Sequence, residues 1–310
     1  MKQPTTDFQV LNTVTDYTRM CGLPAPTHPL LTLIDLEKAR KPPYPSIPPV
    51  LQQLYSIWVK KNLKGTFFYG HQPYDFSEGV MGFVAPGQVF TVNESLDISE
   101  MTGWMLVFHP DLLAKYPLGQ KINRYGFFSY DVHEALHLSA SEEATLDQLV
   151  NSIRAEAERP IDTFSQDVLV AQIDLLLTYA DRFYHRQFLT RRNADADRDG
   201  NSLLARFEAR LNAYFDQSTE QPLPTVQFFA DELNVSPAYL SDMLRSLTGQ
   251  NTQQHIHQAL IEKAKRLLLA TSLSVNETAF RLGFEYPQYF SRLFKKKTGL
   301  TPAEFRVSMQ

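Results

Sequence analysis

The sequence predicts an α+β protein of two domains: an N-terminal β-sandwich or barrel with helices after it, then an all-helical C-terminal domain. Three observations predict this. Short aromatic and β-branched runs punctuated by Gly and Pro crowd residues 51–109. After Pro110 the apolar residues fall at helical spacing. Near the C-terminus one supersecondary unit occurs twice, about fifty residues apart.

The chain has 310 residues, a length that suits two domains of roughly 100–200 residues each. Its parts read as a β-rich domain with helices over 1–164, a helix over 165–190, a linker over 191–201 and a helical domain over 202–310. No apolar run reaches the ~20 residues that span a bilayer, and MKQPTTDFQV lacks the apolar core of a secretory signal. The single cysteine, Cys21, excludes an internal disulfide and suits the cytoplasm. It reads as a packing residue.

Proline is dense over residues 24–50, which reads as extended surface chain. LYSIWV, GTFFYG, GVMGFVAPGQVFTV and GWMLVFH then supply the strands. Ser139 and Glu142 form a capping-box pattern that opens a helix toward Ile153. A longer helix runs from about Ser165 to Leu189. Its Leu169, Ile173, Leu176, Ala180 and Phe183 recur at steps of four and three, an apolar seam. That seam suits a homodimer contact, or packing on the chain's own sandwich. RRNADADRDGN, at 191–201, has no large apolar residue and reads as the linker.

Charge is unevenly spread. Residues 1–200 carry 18 Lys and Arg against 24 Asp and Glu, whereas residues 259–310 carry 9 against 4. The basic excess at the C-terminal end is a modest electrostatic footprint for phosphate.

The repeat gives that footprint a frame. Ala230 matches Ala279 and Leu233 matches Leu282. After a one-residue insertion, Tyr239 matches Tyr289, Ser241 matches Ser291, Leu244 matches Phe294, and Thr248-Gly249 matches Thr298-Gly299. Each copy has a helix with an alanine where a second helix must come close. A turn follows, at Asn234-Val235 or Gly283-Phe284. The next helix has Pro237 or Pro287 at its first position, where a missing N–H is harmless. Ser236 is a good N-cap and Tyr286 a poor one. The glycine after each threonine suits a left-handed stop. Two helices joined in this way form a helix-turn-helix. A helix over Thr252–Ala270 would join the two units, and another, Ser202–Phe215, would open the domain. Ser274/Glu277 and Thr301/Glu304 are further capping boxes.

The stretch AFRLGFEYPQYFSRLFKKKTGLTPAEFR resembles the signature of AraC/XylS-type transcription regulators, and the resemblance extends over roughly 202–306. It implies a seven-helix domain with two helix-turn-helix units that bind double-stranded DNA. The residues at the reading positions are then Ala238, Ser241, Asp242 and Arg245 in the first unit. In the second they are Pro287, Gln288, Ser291, Arg292, Lys295 and Lys296, with Lys297 beside them. Gln288 and Arg292, four apart, share a face. They suit adenine and guanine edges respectively. The lysines suit phosphate.

The same resemblance implies a cupin-like sandwich that binds a small effector, with dimerisation through the helices after it. A dimer would set units about one DNA turn apart (~34–36 Å), and an activator would contact RNA polymerase. GVMGFVAPGQVF looks like a cupin strand-turn-strand. His71, Tyr74, Trp104 and His109 are the residues placed to line an effector pocket. No metal and no cofactor is expected, because the paired histidines of catalytic cupins are missing.

Two motifs compete with this reading. His133-Glu134-Ala135-Leu136-His137 matches H-E-x-x-H, which on a helix would bind zinc and make a metal-dependent hydrolase. The following helix start at Ser139 leaves that helix little room. Asp195 to Gly200 opens like a calcium loop, but its twelfth position is Arg206 where a glutamate is needed. An architectural DNA binder without an effector is the third reading.

Overall fold

The computed structural model describes residues 9–39, 49–61, 67–69, 72–74, 79–90, 101–131, 134–196, 203–216 and 222–308. They form two compact units, Met1–Gln187 and Phe188–Gln310.

The first unit contains β1 (Gln9–Leu11), α1 (Val14–Met20), β2 (Leu31–Asp35), β3 (Val50–Gln52), β4 (Tyr55–Lys61), β5 (Phe67–Tyr69), β6 (Gln72–Tyr74), β7 (Val80–Val84), β8 (Gln88–Phe90) and β9 (Thr102–Phe108). The helices α2 (Leu118–Lys121), α3 (Ala140–Ala157) and most of α4 (Ser165–Ala196) follow, with the short strand β10 (Leu136–His137) before α3. A five-stranded sheet has the order β10-β7-β4-β9-β2; a three-stranded sheet has the order β1-β3-β8. Leu11, Val14, Tyr17, Ile34, Val50, Leu54 and Val107 form a common core, drawn from both sheets and α1.

The proline-dense segment holds a strand that its composition hides. β2 pairs antiparallel with β9 over its whole length, Leu31 opposite Phe108 and Asp35 opposite Trp104. Pro29 stops short of it, and β2 is an edge strand, where proline neighbours are tolerated. The three-stranded sheet is mixed, with β1 and β3 parallel and β3 and β8 antiparallel, whereas the five-stranded sheet is antiparallel throughout.

Residues two apart on a strand share a face, and the five-stranded sheet uses both. Trp58 and Lys60 lie on the face of Met105, whose sulfur accepts from the Tyr17 hydroxyl at 3.1 Å on the core side. Lys61 and Trp104 point the other way, to α3. There Lys61 Nζ meets Glu143 at 2.8 Å and Asp147 at 3.2 Å, and the Trp104 indole N–H donates to Asp147 at 2.8 Å.

The seam on α4 faces inward. Leu169, Ile173, Leu176, Ala180 and Phe183 are all buried by the chain itself, so they are not a free dimer face. The helix is held to its own domain by Lys121–Asp174 (2.6 Å) and Arg186–Glu142 (2.8 Å), and by Tyr184 stacked on Phe127. Gln187 completes the hold on β10, accepting from His137 N at 2.7 Å and donating to Ala135 O at 3.3 Å. A side-chain amide here supplies the bonds that an edge strand otherwise lacks. The linker begins later than composition suggests, because α4 continues through Ala196. Asp195 is therefore helical; residues 197–200 of the calcium-like loop lie outside the described residues.

Among its described residues the second unit has helices and no strand: α5 (Leu203–Asp216), α6 (Val226–Leu233), α7 (Pro237–Thr248), α8 (Thr252–Ala270), α9 (Val275–Arg281), α10 (Pro287–Thr298) and α11 (Pro302–Ser308). These are the seven helices that the resemblance implies. Phe207, Phe229, Ala230, Leu244, Ala264, Ala279, Phe290 and Phe294 are fully buried. Arg306 ties the end together: its guanidinium donates to Leu268 O at 2.9 Å and Leu273 O at 2.6 Å, satisfying carbonyls at the end of α8 and in the loop beyond.

Candidate nucleic-acid interface

The repeat is built from equivalent local bonds. Asn234, at φ 54°, and Gly283, at φ 87°, both take the left-handed turn between helices. Among the described residues Asn234 is the one non-glycine at positive φ, a conformation asparagine tolerates better than most residues. Ser236 caps α7, its hydroxyl accepting from Tyr239 N at 3.2 Å. Tyr286 makes no side-chain cap on α10. Thr248 and Thr298 close their helices alike. Each donates to the carbonyl four residues back, at 2.8 and 2.9 Å, and accepts from the N–H two residues on, at 3.2 and 3.3 Å. Gly249 and Gly299 then turn left-handed, at φ 77° and 82°.

The equivalence extends past the aligned motif. Asn251 and Gln254 form a capping box on α8, at the positions that Thr301 and Glu304 occupy on α11. Sequence reasoning missed this pair, though the fifty-residue offset would have found it.

The second helices differ sharply in what they present. On α10, Gln288, Arg292, Lys295, Lys296 and Lys297 are exposed, and Pro287 and Ser291 are half-buried. Phe294 is buried as expected, but Leu293 is only half-buried. Burial, and after it the charges of Lys297 and Lys296, lower the pKa of His257 on α8. A neutral imidazole therefore borders this cationic edge. On α7, Ala238 and Asp242 are half-buried and Arg245 is exposed, but Arg245 is bonded to Asp242 at 2.6 Å. Ser241 does not stand open as a reader. Its hydroxyl lies 3.1 Å from that of the buried Thr252, at the junction with α8.

Two exposed aromatic rings were missed. Tyr286 and Tyr289 pack edge-to-face at 5.8 Å at the start of α10, and Tyr289 is 56% exposed. Its counterpart Tyr239 is 3% exposed. The sequence signal was present, a tyrosine on either side of Pro287-Gln288.

Of the four residues read as lining an effector pocket, Trp104 and His109 have described side chains, and each is engaged locally. Trp104 is buried against Asp147 of α3. His109 accepts from Asp111 N at 3.2 Å and caps a short 3-10 turn. His71 lies outside the described residues, as does the side chain of Tyr74. A shallow cleft of about 620 Å³, lined by Tyr55, Pro110, Lys115, Tyr116 and Gln120 among others, opens beside the segment after His109.

The H-E-x-x-H helix does not form. Leu136 and His137 are in strand β10, and buried Glu134 accepts from Asp131 N at 2.7 Å. His133 lies outside the described residues, among which no three His, Cys, Asp or Glu side chains cluster as a metal site. Burial pushes the Cys21 thiol up to about 11, so it is inert as a nucleophile.

Two helix-turn-helix units of this geometry, bridged by one helix, define a double helix-turn-helix domain of the DNA-binding class. A model described as a helix-turn-helix domain matches residues 229–308. The C-terminal part of this chain is an AraC-type helix-turn-helix domain. The chain is 33% identical over 136 residues to the uncharacterised transcriptional regulatory protein YesN of Bacillus subtilis, covering 43% of this chain and 36% of that protein. It is 36% identical over 96 residues to the HTH-type transcriptional activator RhaR of Cronobacter sakazakii, covering 31% and 34% respectively. It thus spans about a third of the length of these curated relatives. Among solved structures, the C-terminal domain of the Geobacillus stearothermophilus response regulator AraT is 36% identical, with 34% of this chain and 88% of that one covered and a TM-score of 0.31.

Proposed function

We propose that this chain is a sequence-specific, DNA-binding transcription regulator that works in the cytoplasm as a homodimer. The exposed face of α10 is the observation that carries the reading. Gln288 and Arg292 stand one turn apart with Lys295, Lys296 and Lys297 behind them, on the second helix of a helix-turn-helix. This helix enters the major groove, Arg292 and Gln288 reading base edges and the lysines meeting phosphates. Pro287 and Ser291 sit at its contact edge. Helix α7 adds a weaker second contact through Ala238, Asp242 and Arg245. Selection of binding sites from random double-stranded DNA tests the reading. Recovery of a shared motif whose enrichment falls with Arg292→Ala supports it, and recovery of no motif counts against it.

The N-terminal unit is read as a cupin-like sensor for a small effector. Its five-stranded and three-stranded sheets with a common core support that reading. The dimer face is taken to be the outer side of α4, not the seam read from sequence. Phe164, Val168, Ala171, Leu175, Thr178, Arg182, His185 and Leu189 recur at steps of four and three and are exposed. If the outcome is activation, RNA polymerase is the further partner.

A further inference from the structure

Tyr286 and Tyr289 stand where the first repeat has a serine and a buried tyrosine. There Ser236 caps α7 through its hydroxyl, and Tyr239 is covered by the domain. In the second repeat Tyr286 takes the N-cap position, forms no side-chain cap and is 53% exposed. Loss of a capping hydroxyl costs a helix stability, and such departures from local rules gather at functional sites. The core beneath α10 is supplied by other rings: Phe290 is fully buried against Phe284 and Phe294, at ring distances of 5.5 and 5.7 Å. The two tyrosines hold each other instead. Their rings meet edge-to-face at 5.8 Å and 88°, and Tyr289 N–H donates to Tyr286 O at 3.0 Å.

Their place on α10 says what they face. Arg292 and Lys296 lie three and seven residues after Tyr289, a spacing that puts all three on one helix face, and all three are exposed. Helical side chains lean toward the N-terminus, so the Tyr289 ring covers the first turn, the part of a reading helix that meets base edges. Base edges in the major groove offer one apolar group, the 5-methyl of thymine. Two rings at right angles form no flat platform on which unpaired bases would stack. We propose that Tyr286 and Tyr289 are specificity-determining residues, an apolar pair that packs against thymine 5-methyl groups beside the bases that Gln288 and Arg292 read. This rests on reading α10 as the helix that enters the major groove, and it names a base feature that the polar groups of Gln288 and Arg292 do not recognise.

Affinity of the full-length protein for a site selected from random duplex DNA tests it, read by fluorescence anisotropy at fixed salt. Each thymine of the site is replaced in turn by deoxyuridine, which lacks the methyl and keeps the pairing. At one or two thymines the wild-type protein should lose affinity roughly three- to fivefold, the cost of one uncovered methyl. Tyr289→Phe should keep that sensitivity. The double variant Tyr286→Ala, Tyr289→Ala should bind thymine and deoxyuridine alike at those positions. Wild-type affinity indifferent to every replacement overturns the proposal without depending on any variant's folding. Sensitivity that survives in the double variant assigns the methyl to another side chain and overturns it as well. So does a Tyr289→Phe variant that weakens every sequence alike, which makes Tyr289 a phosphate contact through its hydroxyl. A selected site that needs Arg292 but ignores the methyls leaves the DNA reading standing, whereas failure to select any site removes both.

Discussion

Asp242 and Arg245 are bonded to each other, Oδ1 to Nη1 at 2.6 Å, one turn apart on α7. In the other repeat the position of Asp242 is held by Arg292 and that of Arg245 by Lys295. One reading helix therefore neutralises its own cation, while the other leaves four cations exposed. An exposed pair of this kind adds little to stability, about 0–1 kcal/mol. Its main effect is on DNA. Asp242→Asn is expected to leave the melting temperature nearly unchanged, to tighten DNA binding, and to steepen the log–log salt slope by about one. Fluorescence anisotropy across a salt series measures this; an unchanged slope would place Arg245 away from phosphate.

On α10 the base-reading and phosphate-meeting roles separate by the same measurement. Arg292→Ala should weaken binding to a selected site by ~1–3 kcal/mol and relax preference at one base pair. Lys296→Ala should weaken all sequences alike and reduce the salt slope by about one. If both variants lose affinity uniformly across sequences, Arg292 is a phosphate contact.

Adjacent residues on α4 separate packing from assembly. Leu176 is fully buried and Leu175 is 47% exposed. Leu176→Ala should cost ~2–5 kcal/mol of stability. Leu175→Glu should leave the fold intact and turn a dimer into a monomer in sedimentation velocity. A dimer that survives Leu175→Glu would move the interface elsewhere.

The C-terminal domain was legible because its information is local. Capping serines and threonines, Pro237 and Pro287, and the glycines after Thr248 and Thr298 each specify a bond or a φ within a few residues. The repeat then checked each against its twin. The N-terminal unit was less legible because its decisions are long-range. The strand Leu31–Asp35 is fixed by pairing with β9, some seventy residues on, and proline density masked it. The inward seam and outward stripe of α4 have the same heptad spacing. Only the rest of the fold decides which one is covered. Ser241 looked like a reader until Thr252, from the next helix, took its hydroxyl. Lys60 and Lys61 are indistinguishable as a KK pair, and the alternation of the strand alone sends them to opposite faces.

The capping boxes on α9 and α11 make the domain's stability depend on pH. Hydrogen bonds from the Ser274 hydroxyl and backbone hold the Glu277 carboxyl below its ordinary value of 4.5. Those from the Thr301 backbone and side chain do the same for Glu304, aided by the charge of Lys295. A carboxylate depressed on folding stabilises fully above its unfolded value, and that contribution disappears as pH falls through the folded value. The melting temperature should therefore hold above pH 4.5 and decline below it. Glutamine at these positions can still accept from the N-cap N–H but cannot titrate. The double variant Glu277→Gln, Glu304→Gln should fold at neutral pH and show a shallower decline in melting temperature on acidification than the parent. Parallel curves for the two proteins would assign the acid sensitivity to other carboxylates.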